Sequence, residues 1–268
     1  MSHVVWLDGG LVPPASAALG ITDPGVRWGD GLFETMRAEH HRVPLLDRHL
    51  ARLSASARTL SLSPVPSHDE VAAAVRAVVA QIDEGVHRVR ITVTTRPTLL
   101  VEATPYAPTG GVGVTVASLR GAWHPGNEIC EHKTLSHAGH RLSERRAHAR
   151  GADHALLLDD RGRLGEAGSA NVLVVIAGAV VTPPIEGILG GVTRDLLLEA
   201  ATAEGIPVQV RHLEEPEWRG ADEMLLSNGL AGVTPVVAID GVPVGTGVPG
   251  PVGSRLTAGF ARCGGWQG

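Results

Sequence analysis

Hydrophobic positions in the first third of the chain recur with the period of a helix in two places. In the first place they are spaced by three or four residues: Leu46, Leu50, Leu53, Ala57 and Leu60. This spacing predicts one apolar stripe along a helix, with His49 and Arg52 on its polar side. A second helix is predicted from Ser67, because Ser67 and Glu70 form an S-x-x-E capping box before an apolar stripe.

Strands are predicted where the hydrophobic period changes to two. One alternating set comprises Val89, Ile91 and Val93, and another comprises Val112, Val114 and Val116. Near the start, the short apolar run at residues 4–7 is followed by the turn sequence Asp8-Gly9-Gly10, which predicts a hairpin.

The second half of the chain follows a stretch of low periodicity at residues 119–130, whose Gly and Pro predict a linker. Helices are then predicted at 134–150, 193–204 and 256–262, and strands at 155–158, 171–176, 208–210, 224–226 and 236–239. The expected fold class is α+β, with an N-terminal α/β domain at residues 1–118 and a C-terminal α/β domain at residues 131–268.

Composition narrows the class of protein. The chain has 268 residues, 43% of them hydrophobic, and no apolar run approaches the roughly 20 residues that cross a membrane. Its first residues lack the basic segment and apolar stretch of a signal peptide, so the expected location is the cytoplasm. A net charge of −5 with scattered arginines offers no basic stripe for nucleic acid, which leaves a small molecule as the expected partner.

Cysteine and histidine usage argues against a metal site and against a disulfide framework. Cys130 and Cys263 are far apart and form no CxxC pair. None of the 13 histidines shows the helical H-x-x-x-H spacing within a recognisable ligand set. We therefore expect no metal.

Lys133 is the only lysine in the chain, since 22 of the 23 Lys and Arg residues are arginine. An arginine is permanently protonated, whereas a lysine amine can lose its proton and condense with an aldehyde. Lys133 is therefore a candidate for covalent catalysis, although a codon bias toward arginine would also leave a single lysine by chance.

Five short segments strengthen that candidate. They are residues 28–35 (WGDGLFET), 49–53 (HLARL), 132–136 (HKTLS), 165–171 (GEAGSAN) and 189–194 (LGGVTR). In this order and spacing they resemble the fold-type IV family of pyridoxal-phosphate enzymes, which includes branched-chain and D-amino-acid aminotransferases and aminodeoxychorismate lyase. The resemblance implies a two-domain fold-type IV enzyme that binds pyridoxal 5'-phosphate and forms a homodimer.

The resemblance also implies roles for individual residues. Lys133 forms an imine with the cofactor aldehyde and then moves the proton at the substrate carbon that bears nitrogen. Arg52 clamps the cofactor phosphate, and Glu166 lies against the pyridine nitrogen and keeps it protonated. Outside the family context, Arg52 is an exposed helix arginine and Glu166 an ordinary hairpin acid. The other implied cofactor contacts are Leu189 on the ring and, around the phosphate, Gly191, Val192, Thr193, Asn228 and Gly229.

Three features favour the lyase within this family. Thr35 stands where branched-chain aminotransferases usually have glycine, residues 227–230 (SNGL) are closer to the N-x-L pattern of lyases, and the chain is short. The expected reaction converts 4-amino-4-deoxychorismate to 4-aminobenzoate and pyruvate, with Thr35 positioning or relaying a proton. Arg27, Arg90 and Arg96 are candidates for binding substrate carboxylates.

Two alternatives use the same segments. The first is a class IV aminotransferase that acts on branched-chain or D-amino acids with a 2-oxo acid acceptor. The second is a protein that binds the cofactor without catalysis, which the retention of Lys133, Arg52 and Glu166 together argues against.

Overall fold

The computed structural model of the protein describes residues 4–108, 111, 113–264 and 266. The chain divides into two compact units: the described part of Met1–Pro108 with His132–His137, and the described part of Thr109–Glu131 with Ala138–Gly268. Helices and strands occur in both units, which confirms the α+β fold class.

The first unit is built on an antiparallel sheet with the order β2-β1-β5-β4-β3. The strands are β1 (Val5–Leu7), β2 (Gly10–Val12), β3 (Gly31–Glu39), β4 (Val86–Thr94) and β5 (Leu99–Pro105). The helices are α1 (Pro24–Trp28), α2 (Leu46–Thr59) and α3 (His68–Val79). The predicted hairpin, the two predicted helices and the predicted strand around Ile91 are all confirmed.

The core of the first unit lies between α2, α3 and one face of the sheet. Leu32 and Met36 of β3 join Leu50 of α2 and Val75 of α3 in one buried apolar cluster. Because side chains alternate along a strand, Phe33 points from β3 to the opposite face of the sheet. That face is therefore left for groups other than the helices.

One prediction for α2 is wrong. His49 was expected on the polar side of the helix, but it is 1% exposed. The reason is a buried acid on the core face of β3: the His49 Nδ1 atom lies 2.8 Å from Oε2 of Glu34. A polar side chain can face a core when a charged partner there accepts its hydrogen bond.

The segment His132–His137 is extended and belongs to the first unit. It lies antiparallel to β3, because Phe33 N donates to Lys133 O and Leu135 N donates to Gly31 O, both at 2.9 Å. The helix predicted from residue 134 begins only at Ala138. Pairing with a strand edge satisfies these backbone groups, so residues 134–137 do not extend the helix.

The second unit contains a larger sheet with the order β11-β10-β9-β12-β13-β6-β7-β8, to which β14 adds beside β13. The strands are β6 (Val114–Leu119), β7 (His154–Leu158), β8 (Leu164–Ala167), β9 (Asn171–Ile176), β10 (Ala179–Thr182), β11 (Val208–Val210), β12 (Glu223–Asn228), β13 (Gly232–Ile239) and β14 (Val242–Pro243). The helices are α4 (Ala138–His148), α5 (Val192–Ala203), α6 (Glu215–Arg219) and α7 (Pro251–Arg262). Each strand and helix predicted beyond residue 150 is present, with bounds shifted by a few residues.

The division of the chain differs from the expected boundary after residue 118. Strand β6 pairs in parallel with β7 and with β13, so it belongs to the second sheet. The first unit accordingly ends at Pro108 before it resumes at His132. Val112, which was expected in the same strand, lies outside the described residues.

Among the described residues, no helix has both the length and the apolar composition needed to span a membrane.

Candidate active site

Lys133 and Arg90 both lie against the aromatic ring of Phe33. Its Nζ is 4.5 Å from the centroid of the Phe33 ring, and Cζ of Arg90 is 3.9 Å from the same centroid. The His137 ring packs edge-on against Phe33, with 5.4 Å between centroids. Two cations thus share one ring on the sheet face opposite the helices, where the ring quadrupole favours both.

Strand pairing explains why Arg90 is in this place. Thr92 of β4 is the Cα partner of Phe33, and Arg90 lies two residues before Thr92, so its side chain is on the same face of the sheet. Burial lowers the pKa of the Arg90 guanidinium, an effect that the Glu102 carboxylate on β5 opposes. An arginine keeps its charge under such a shift, so Arg90 presents a permanent cation.

Arg52 and His49 of α2 both bind the carboxylate of Glu34 on β3. Arg52 donates from Nε to Oε1 at 2.8 Å and from Nη2 to Oε2 at 2.6 Å. Burial by itself raises the pKa of Glu34, but the charge of Arg52 and the hydrogen bonds from His49 and Arg52 outweigh it and lower the pKa to about 2. The plane of the Arg52 guanidinium is therefore set by Glu34, and its role as a phosphate clamp stays a prediction.

Glu166 lies on β8 with its carboxylate held from two sides. His140 Nε2 is 3.1 Å from Oε1, and Leu189 N donates to Oε2 at 3.3 Å. The Leu189 carbonyl in turn accepts from Asn171 Nδ2 at 2.7 Å. Burial raises the pKa of the Cys130 thiol, and the nearby Glu166 charge raises it further. The two contacts orient the carboxylate of Glu166.

The start of α5 has the features of an anion site. Gly191 is the N-cap and supplies no side chain to the first turn; a Cβ there would overlap Oδ1 of Asn171. Thr193 is 2% exposed, and its Oγ1 has no hydrogen-bond partner in the part of the chain that the structure describes. Val192 is also buried. Backbone N–H groups at a helix start attract anions, so this end fits a phosphate.

The side chain of Asn228, which was expected to contact the cofactor phosphate, forms hydrogen bonds with the backbone. Its Oδ1 accepts from Leu230 N and Ala231 N at 3.0 and 2.8 Å, and its Nδ2 donates to Ser169 O at 3.3 Å. The side chain closes the turn between β12 and β13, and Gly229 lies within that turn. Their contact with a phosphate stays a prediction.

Two of the other candidates lie at the surface. Arg27 stacks on the exposed Trp28, with its Cζ 4.7 Å from the ring centroid. Arg96 is exposed and donates to Thr22 Oγ1 at 2.9 Å. Of the three arginines proposed for substrate carboxylates, Arg90 is the one beside Lys133 at the Phe33 ring.

Sequence reasoning missed two polar residues of the second unit. Ser227 is 2% exposed, and its Oγ has no partner among the described residues; it is the Cα partner of Asn171. His140 binds Glu166. Ser227 could have been identified, because it is the first residue of the SNGL segment. His140 could not, because helical spacing does not show which acid a histidine will contact.

The residue types fit pyridoxal 5'-phosphate. Lys133 of the first unit is a primary amine able to bond an aldehyde. In the second unit, Glu166 is a buried acceptor able to bind a ring nitrogen. The deciding observation is Thr193, whose buried hydroxyl lacks a partner at a helix start, among the residues described, and would be satisfied by a phosphate oxygen.

Comparison with known proteins agrees with this fit. The model of the family described as Amino-transferase class IV matches residues 31–239. A putative branched-chain-amino-acid aminotransferase of Methanocaldococcus jannaschii is 29% identical, with 96% of this chain and 94% of that protein covered. A D-alanine aminotransferase of Staphylococcus aureus is 31% identical, with 96% of each covered.

A solved structure matches over the same extent. The branched-chain aminotransferase of the thermophilic archaeon Thermoproteus uzoniensis, solved with norvaline, has a TM-score of 0.89 to this chain. The match has 27% sequence identity and covers 98% of this chain and 94% of the other. The fold-type IV architecture expected from the motifs is confirmed.

The expectation of an aminodeoxychorismate lyase is wrong. The relatives and the solved structure named above are branched-chain and D-alanine aminotransferases. Thr35, on which the lyase assignment partly rested, is a half-buried residue of β3 and the Cα partner of Arg90. One side chain, the SNGL segment and a short chain length do not determine which bond a shared cofactor breaks. These features therefore did not predict the reaction.

Proposed function

Because this chain belongs to the class IV aminotransferase family, we propose that it transfers the amino group of a branched-chain or D-amino acid to a 2-oxo acid. Its cofactor is pyridoxal 5'-phosphate. The observation that carries the proposal is the pair of cations on one ring: Lys133 Nζ at 4.5 Å and Arg90 Cζ at 3.9 Å from the Phe33 centroid.

That pair suits an α-amino acid, whose amine and carboxylate are separated by one carbon. The Arg90 guanidinium offers paired donors in one plane, which match the two oxygens of a carboxylate. Lys133 lies on the same ring, so a carboxylate bound by Arg90 would bring the substrate amine toward the lysine. A 2-oxo acid has the same carboxylate and would bind in the same way in the second half of the reaction.

The protein's own groups would act as follows. Lys133 would hold the cofactor through its amine and, once the substrate amine has replaced it, move the proton at the substrate α-carbon. Glu166 would accept a hydrogen bond from the ring nitrogen, and the start of α5 with Thr193 would bind the phosphate. When bound, the cofactor supplies electron withdrawal from the α-carbon and carries the amino group between the half-reactions.

The test supplies both half-reactions. Purified protein with cofactor is mixed with L-leucine or D-alanine and 2-oxoglutarate, and the glutamate formed is measured. We expect glutamate from at least one of the two donors, and the preferred donor identifies the substrate class. Failure to form glutamate from a panel of L- and D-amino acids would contradict the proposal.

The matched control is Lys133→Arg. Arginine keeps a cation beside Phe33 but cannot bond an aldehyde. We expect turnover to fall by about 10³-fold or more. Mass spectrometry after borohydride reduction should show cofactor fixed to the unchanged protein and none fixed to the variant.

We also propose a homodimer, as the family resemblance implied. Three large apolar residues that are close in the sequence of the first unit support it: Ile21, Val26 and Trp28 are 87%, 52% and 65% exposed. Exposed apolar surface commonly marks protein interfaces. Light scattering should give twice the mass of one chain, and Trp28→Glu should shift the protein toward the monomer at low concentration. A monomeric mass for the unchanged protein at all concentrations would contradict the proposal.

A further inference from the structure

We propose that His140 is a positioning residue that holds the Glu166 carboxylate in the orientation that the cofactor ring requires. The inference rests on the role of Glu166 in the proposed function. It does not depend on which amino acid is the substrate.

The geometry of the carboxylate carries the proposal. His140 lies in the first turn of α4, and its Nε2 is 3.1 Å from Glu166 Oε1. The second oxygen, Oε2, accepts from Leu189 N at 3.3 Å. The His140 side chain is 19% exposed and that of Glu166 is 6% exposed, so water screens this contact only weakly.

Two donors from different elements orient the carboxylate without saturating it. An ionised carboxylate has about four acceptor positions on its two oxygens. One donor on each oxygen fixes the plane of the group and leaves positions for a further donor. A ring nitrogen that carries a proton is such a donor.

A purely structural role for His140 is disfavoured by the other contacts of α4. Glu144 of this helix accepts from Ala155 N at 3.4 Å and lies 3.2 Å from His154 Nδ1. Ala147 of the same helix is fully buried in an apolar cluster. Helix α4 is thus attached to β7 by groups other than His140, and the fold should survive its replacement.

Loss of the His140 contact would leave Glu166 with the single donor from Leu189 among the contacts described above. The carboxylate could then turn away from the cofactor ring, so the cofactor would bind more weakly. Because Glu166 acts on the cofactor and not on the substrate, kcat should fall while KM for the amino acid stays nearly constant.

The experiment compares His140→Leu, which removes the donor, with His140→Gln, which supplies an amide N–H at a similar distance. The matched control is His148→Leu, because His148 is also on α4 and also lies near a glutamate, 3.8 Å from Glu144. The measurements are the cofactor dissociation constant, the absorption spectrum of the bound cofactor, kcat and KM, and the thermal unfolding of the protein without cofactor.

For His140→Leu we expect cofactor binding and kcat each to fall about tenfold, the size of one lost hydrogen bond to a charged group. KM should stay within about twofold, and the absorption maximum should move. His140→Gln should recover most of both losses, and His148→Leu should match the unchanged protein.

Three results would overturn the proposal. The first is a dissociation constant and spectrum in His140→Leu equal to those of the unchanged protein. The second is an equal loss in His140→Gln and His140→Leu, and the third is a lower unfolding temperature that accounts for the loss. If no amino acid donates its amino group, the proposed function fails, and the dissociation constant and spectrum still decide the role of His140.

Discussion

Two buried carboxylates, Glu34 in the first unit and Glu166 in the second, are held in different ways. Glu34 meets a guanidinium through both oxygens and an imidazole through one, and its pKa is lowered to about 2. Glu166 is held by one imidazole and one backbone amide. In the first arrangement, neighbouring side chains compensate the carboxylate charge within the fold. In the second, the carboxylate is oriented but keeps acceptor positions for a ligand.

The difference is that between an acid whose contacts stabilise the fold and an acid for which we propose a role at the cofactor. A buried carboxylate with a bidentate arginine has its charge and hydrogen bonds largely satisfied. A carboxylate held by single donors retains acceptor capacity. Substitutions at Glu34 and Glu166 should therefore affect different measured quantities.

The largest expected effect is that of Glu166→Gln on turnover. An amide cannot stabilise a protonated ring nitrogen by charge, so kcat should fall by about 10³-fold at saturating cofactor. Steady-state kinetics checks this, with Glu217→Gln as a control at an exposed acid. A kcat within about threefold of that of the unchanged protein would contradict the proposed role of Glu166 at the cofactor.

Glu34→Gln should act on stability. It leaves the half-buried Arg52 and the buried His49 beside a neutral group, so the free energy of unfolding should fall by about 3 kcal/mol. Urea unfolding of the protein without cofactor measures this. The same control, Glu217→Gln, breaks an exposed pair with Arg211 and should cost less than about 1 kcal/mol. Equal losses in the two variants would show that the buried network around Glu34 stabilises the protein no more than a surface ion pair does.

The pH dependence of stability also tests the contribution of Glu34 to the fold. The folded-state pKa of Glu34, about 2, is below its ordinary value of 4.5, so its contribution is complete above pH 4.5 and is lost as the pH falls toward 2. The difference in unfolding free energy between the unchanged protein and Glu34→Gln should shrink by about 2 kcal/mol from pH 7 to pH 3. A constant difference over this range would contradict the assignment.

The smallest expected effect has opposite signs with and without cofactor. Thr193→Val replaces a buried hydroxyl that has no partner among the described residues, so the protein without cofactor should gain up to about 1 kcal/mol of stability. Cofactor binding should weaken by about fivefold, because one donor to the phosphate is lost. Thr202→Val is the control: Thr202 is on the same helix, but its hydroxyl donates to Leu198 O. Tighter cofactor binding in Thr193→Val would contradict the phosphate assignment.

Several features of the fold were predictable because they depend on neighbours in the chain. The Ser67–Glu70 capping box forms as expected, with Ser67 N donating to the Glu70 carboxylate at 2.8 Å. The alternation from Val89 to Val93 produced a strand, and the stripe from Leu46 produced α2. Spacing alone determines such elements, because the partners are within one or two turns or on one strand.

The hydrogen-bond network around Glu34 was less predictable. The β3 strand was not predicted, since its core face carries Glu34 among apolar residues and breaks the alternation. His49 was expected on the polar side of α2, because it lies outside the apolar stripe that begins at Leu46. No local pattern shows that an acid on a strand will meet a histidine and an arginine on a later helix, because that pairing depends on how α2 packs against the sheet.

The sequence by itself determined the family and the cofactor, because five short segments suffice for chemistry that only certain side chains perform. It also predicts Lys133 as the reactive amine. The tertiary structure decided the surroundings of those groups: the extended path of residues 134–137 along β3, the two cations on Phe33 and the imidazole on Glu166. These contacts join residues distant in the chain. Their energies depend on burial and distance, which local spacing does not encode.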